Sequence, residues 1–231
     1  MMDKTDFLND RLDDLREESF SIDGHTYQTQ RSSLLVRVWD SWMDMRKATR
    51  RLIDENPPEA RLLFYILMSD LIFFMSWSLK AVVSPTDNAS SFLPADVGLW
   101  LLVALFARTA VVYLFSIVLG MAMRLFGGRG GWKATRAAVF WGSFVAAPFG
   151  LFFALVTVAF ASLESSIPIL QNDLISQAPY WLSLIPFVWL ISAGLAEAHE
   201  FKHVYPIFAA MTLMTMILWM GFLYLSATGV I

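Results

Sequence analysis

Apolar residues fall in five long blocks, at about 62–83, 97–123, 137–161, 181–198 and 206–227, separated by short polar stretches. Each is near the roughly 20 residues an α-helix needs to cross a hydrocarbon core of ~30 Å. Lipid offers backbone groups no hydrogen-bond partner, so such blocks must be helical, and the period-2 alternation of a membrane barrel is absent. The pattern predicts an all-α polytopic membrane protein with five transmembrane helices. A different pattern precedes them. Over about 31–55, Leu35, Val38, Trp39, Trp42, Met45, Leu52 and Ile53 recur at intervals of three and four, opposed by Arg37, Arg46, Lys47 and Arg50. This predicts one amphipathic helix, read either as lying in the membrane interface with its bases near anionic headgroups or as packed on the ends of the bundle. Pro57-Pro58 ends it. The chain therefore divides into an N-terminal segment, 1–56, and a membrane domain, 57–231. Within the first 30 residues, Leu8, Leu12 and Leu15 stand at helical spacing in an acidic context, as in a short solvated helix or a docking segment.

Composition sharpens this picture. Of 231 residues, 57% are hydrophobic and 16% charged, well above the apolar share of a soluble domain. The net charge of −3 matters less than where the cations lie. Arg46, Lys47, Arg50, Arg51 and Arg61 precede the first block, Arg124, Arg129, Lys133 and Arg136 follow the second, and Lys202 follows the fourth. The alternate loops, 84–96 and 162–180, carry no Lys or Arg. Basic flanks are retained in the cytoplasm, which predicts a cytoplasmic N-terminus and a C-terminus across the membrane. The start, Met1 to Asp6, is acidic and has no basic n-region, so the first span is expected to serve as the insertion signal. With no cysteines, disulfides, thiolate metal sites and cysteine nucleophiles are excluded.

Three local features carry candidate chemistry. Asp70 and Arg108 are charges inside spans, where an ionisable group costs at least ~2.5–3.5 kcal/mol. Counted along their helices they reach similar depth and are expected to pair, as a structural clamp or as part of an ion or proton route. His199-Glu200-Phe201-Lys202-His203 satisfies H-E-x-x-H, in which two histidines a turn apart hold zinc. No acid or histidine follows His203, Lys202 would set a cation beside the metal, and Pro206 suggests a helix end. Gly127-Gly128-Arg129-Gly130-Gly131-Trp132-Lys133 lacks phosphate-loop spacing and reads as a tight basic turn. No nucleic-acid module is present.

Residues 127–135, followed by an apolar run to Pro148, resemble the glycine-basic-glycine loop and proline-bearing third span of the bacterial branch of the YIP (Ypt/Rab-interacting protein) family. Trp189 through Gly194-Leu195 to His199 is similar to that family's fourth span. The resemblance covers roughly 55–225; the acidic-leucine-tyrosine-glycine-proline motif of the eukaryotic members has no counterpart here. It implies a non-enzymatic scaffold, recruitment or assembly protein without cofactors, in a bacterial inner membrane with a periplasmic C-terminus. Its partners would be the lipid bilayer and other membrane proteins or further copies of itself, and His199 would be a turn residue. A small-solute or ion transporter using Asp70 and Arg108 is the second reading, and a zinc hydrolase through His199 and His203 the third.

Overall fold

The computed structural model describes residues 33–83, 94–163, 166–176 and 178–228. The acidic N-terminal stretch and most of the 84–96 loop lie outside these residues. The chain divides into a unit Met1–Val36 and a unit Arg37–Ile231, and the helical bundle belongs to the second.

Among the described residues the elements are all helical: α1 (Leu34–Met43), α2 (Met45–Asp54), α3 (Glu59–Val83), α4 (Pro94–Leu125) and α5 (Trp132–Leu163) come first. A 3₁₀ turn (Pro168–Gln171), the short α6 (Asp173–Ser176) and α7 (Ala178–Leu182), α8 (Leu184–Ala198) and α9 (Tyr205–Ala227) complete the chain. Three segments, Glu59–Leu79 in α3, Leu105–Leu125 in α4 and all of α5, are long and apolar enough to cross a membrane. The fourth apolar block is divided at Ser183, leaving α8 with 15 residues, a length of ~22 Å. α9 has 23 residues.

The first half of α5 is the centre of the bundle, for every residue from Ala137 to Ala146 is buried. α3 and α8 flank it, with α2 and α4 completing the surround. Small residues permit the approach. A methyl group on Gly142 would lie 3.1 Å from Ile191, and one on Gly194 would lie 3.3 Å from the Ala138 carbonyl. Lipid tails are as apolar as these side chains, so helix association rests on such close packing and on hydrogen bonds. Pro148 has no N–H for the Phe144 carbonyl one turn back. Side-chain donors serve the carbonyls on either side of that gap: Ser69 Oγ donates to Ser143 O at 3.1 Å and Trp42 Nε1 to Val145 O at 2.9 Å.

The amphipathic segment expected as one helix over 31–55 is two helices, broken at Asp44. The Asp44 side chain accepts from Lys47 N and caps α2. Met45, Ala48, Thr49 and Leu52 are buried against the bundle. The two helices are held together by Arg37 with Glu55 at 3.0 Å and Arg51 with Asp40 at 3.6 Å. Asn56, at φ +45°, turns the chain out of α2 before Pro57.

Candidate functional site

Two interhelical turns meet at one end of the bundle. The α4 helix closes in a Schellman motif: Gly128 N donates to Met123 O, Gly127 N donates to Arg124 O, and Gly127 sits at φ +89°. The α8 helix closes the same way, with Phe201 N donating to Ala196 O and Glu200 N to Glu197 O. Here Glu200, at φ +60°, occupies the left-handed position that glycine fills in α4. Arg129 N then donates to His199 O at 3.2 Å, joining the turns.

His199 fills the junction and is 1% exposed. Its Nε2 lies 2.9 Å from Thr135 Oγ1. That hydroxyl already donates to Gly131 O at 3.0 Å, so it accepts from the imidazole, which assigns the proton to Nε2. Gly128 and Gly130 lie against the ring: an added Cβ would come within 2.7 Å and 2.9 Å of Nδ1 respectively, and on Gly130 it would also meet Ala198 O at 2.4 Å. Burial, and secondarily the Arg124 guanidinium, hold the imidazole below its usual pKa. Arg124 stacks over Trp132, 4.3 Å from the ring centroid, and reaches Gly130 O.

Glu197, one turn earlier, carries a second junction. Its Oε2 accepts from Arg46 Nε at 2.9 Å and its Oε1 from Arg50 Nε at 2.7 Å. The same Arg46 donates to the Phe201 and Lys202 carbonyls, so α2 caps the end of α8. Hydrogen bonding to Glu197 raises the pKa of Arg50. Arg136 binds Glu59 at 3.1 Å, and Lys133 reaches Asn56, tying the start of α5 to the start of α3. The H-E-x-x-H string does not share a helical face: α8 ends at Ala198, Glu200 is exposed in the left-handed turn, and His203 is exposed beyond it. Its two imidazoles therefore lack the i, i+4 stacking a zinc pair requires.

Deeper in the bundle, Asp70, 2% exposed, faces Arg108 as an ion pair and accepts from Thr109 Oγ1 at 2.6 Å. The Arg108 guanidinium also lies over Phe73, 4.6 Å from the centroid.

In comparison with protein families, residues 39–226 match the Yip1 domain. The chain belongs to the Yip1 domain family. No curated protein and no solved structure matches it.

The match begins inside α1, at residue 39, and takes in α2. Of the residues singled out in the sequence, Arg46 and Arg50 are brought to the Glu197 junction, and Arg124 and the glycine turn to His199. Trp42 is turned into the bundle, whereas Trp39, Lys47 and Arg129 are exposed. Thr135 and Glu197 were not singled out. Thr135 stands inside the glycine-turn motif and Glu197 one turn before the helix end, yet nothing in their spacing distinguishes a buried acceptor from an exposed one.

Proposed function

We propose that this Yip1 domain protein spans the membrane five times and acts without catalysis, as a scaffold or recruitment partner for other membrane proteins. The observation that carries this reading is where the polar groups go. Glu197, His199, Thr135, Arg46 and Arg50 are spent on fixing a helix pair and two turns into one surface. Around them Lys47, Arg129, Lys202 and His203 are exposed. A surface held this rigidly and left charged suits recognition of another protein. In this reading α8, lengthened by α7, and α9 supply the fourth and fifth spans. The basic end faces the cytoplasm of a bacterial inner membrane, and the C-terminus is periplasmic.

Two experiments test the proposal. Photo-crosslinking of the tagged full chain in its native membrane, followed by purification, is expected to retain a reproducible protein partner, and capture of none would count against the scaffold. Reporter fusions after α3, α4, α5, α8 and α9 are expected to alternate sides; two successive fusions on one side would remove the five-span topology.

The transport reading draws on a single observation, the buried Asp70. Its carboxylate is engaged by Arg108 and Thr109, which suits a clamp between α3 and α4. Ion or solute flux into reconstituted vesicles, lost in Asp70→Asn, would reverse that preference.

A further inference from the structure

α1 starts at the charged end, where Arg37 and Arg61 share Glu55, and its last turn is attached deeper along α5. Trp42 Nε1 donates to Val145 O, and the Trp42 ring lies 5.1 Å from that of Phe149. Ser41 Oγ accepts from Trp141 Nε1 at 3.0 Å. The charged end of α5 is marked by the Arg136–Glu59 pair. Trp141 is five residues beyond Arg136, ~8 Å along the helix, and Val145 is nine beyond it, ~13 Å. In a hydrocarbon core of ~30 Å these positions fall from the middle of one leaflet toward the midplane. α3 runs in the same register, because Ser69 bonds Ser143 O and so sets Asp70 level with this stretch of α5.

At that depth α1 turns an apolar face outward. Trp39 and Met43, one turn apart, are 58% and 69% exposed. Trp39 continues inward as a file of rings, 5.7 Å to Trp42 and then to Phe149. The charged residues of α1 turn toward neighbouring elements instead: Arg37 bonds Glu55 and lies over Trp141, and Asp40 faces Arg51 of α2. α2 carries the exposed cations Lys47, Arg50 and Arg51, and its Arg46 reaches the turn carbonyls of Phe201 and Lys202 at the charged end.

We propose that α1 is sunk into one leaflet of the bilayer, with Trp39 and Met43 against the acyl chains and α2 above it at headgroup level. The occupant of this face is lipid because its most exposed side chains, Trp39 and Met43, are apolar, its one flanking acid Asp40 is paired with Arg51, and it runs along α5 at hydrocarbon depth. Such a helix displaces lipid from one leaflet only, which would make the protein responsive to leaflet packing. The inference rests on α5 being a span and is independent of the scaffold reading.

The chain has no cysteine, so a single introduced one can be spin-labelled with no native thiol to remove. Met43→Cys and Trp39→Cys, both on exposed positions, are spin-labelled in the full chain. The labelled chains are reconstituted in phosphatidylethanolamine–phosphatidylglycerol vesicles and compared with Phe152→Cys on α5 and Lys202→Cys at the charged end. Power saturation is expected to give both α1 labels several-fold greater accessibility to oxygen than to a water-soluble nickel chelate, as for Phe152→Cys. Nickel accessibility equal to that of Lys202→Cys would overturn the proposal, as would low accessibility to both reagents, which would mean that protein covers the face. If Phe152→Cys itself were open to nickel, the span assignment of α5 would fall instead.

Discussion

At the scale of single residues the junction around His199 depends on two contrasts. Gly130 and Gly131 are neighbours in one turn, yet a methyl group on Gly130 collides with Ala198 O and the imidazole, whereas one on Gly131 meets nothing within 4 Å. Gly130→Ala is therefore expected to destabilise the protein by about 1–3 kcal/mol, the usual cost of overpacking. In a chain of this size that lowers Tm by several degrees. Gly131→Ala should leave thermal unfolding in detergent within a degree or two of the parent. The second contrast is protonation. The His199 pKa is lowered in the folded state, so the unfolded state binds the proton more readily. The stability it contributes is fully present above the unfolded value of ~6.5 and is lost as pH falls below it toward the lowered folded pKa. Unfolding temperatures measured between pH 7.5 and 5 should fall on acidification, and His199→Gln, which keeps a donor for Thr135, should flatten that slope. An unchanged slope would place the acid sensitivity elsewhere. This residue also shows what a sequence can disclose: the family resemblance implied a turn residue at His199, but its burial was not legible. An imidazole in a polar turn reads as solvated until the opposing glycines are seen to pack on it.

Among elements, the long helices were legible because apolar runs of more than 20 residues admit few alternatives in lipid. The break in the N-terminal amphipathic segment was not, since Trp42 and Met45 both continue the stripe across Asp44. An aspartate three residues before Lys47 was the available capping signal. Nor does a stripe disclose whether protein or lipid covers it. Here α2 is covered by protein and clamped through Glu197. Glu197→Ala should cost about 1–2 kcal/mol, since the carboxylate is largely buried while its arginines are partly exposed. Amide hydrogen exchange should then rise in 45–54 and at 199–204 while α5 stays protected; unchanged exchange in α2 would show that apolar packing alone holds it. The α3–α4 contact makes a similar demand on charge. Asp70→Asn and Arg108→Gln should each reduce accumulation in the membrane, because breaking a buried pair costs about 3–5 kcal/mol. The exchanged pair Asp70→Arg with Arg108→Asp should recover part of it. Normal accumulation of both single variants would remove the clamp.

At the scale of the whole molecule, charge is distributed asymmetrically among the described residues. The paired and exposed cations gather where α2, the glycine turn and the α8–α9 turn meet, and the family match spans all three. The H-E-x-x-H string belongs to the same surface, and the end of α8 at Ala198 takes its residues off a single helical face. The sequence carried the family, the helices and the basic segments because each depends on composition over tens of residues. The junctions at Glu197 and His199 depend on contacts between residues ~60 to 150 positions apart, which no local period encodes. The most direct test of the claim that this end recognises another protein is photo-crosslinking from defined positions in the native membrane. A photoreactive residue at Arg129 or Lys202 should capture a discrete protein partner that the same residue at Phe152 does not, and Glu197→Ala should weaken that capture. Capture of no protein from Arg129 or Lys202, or equal capture from Phe152, would contradict it.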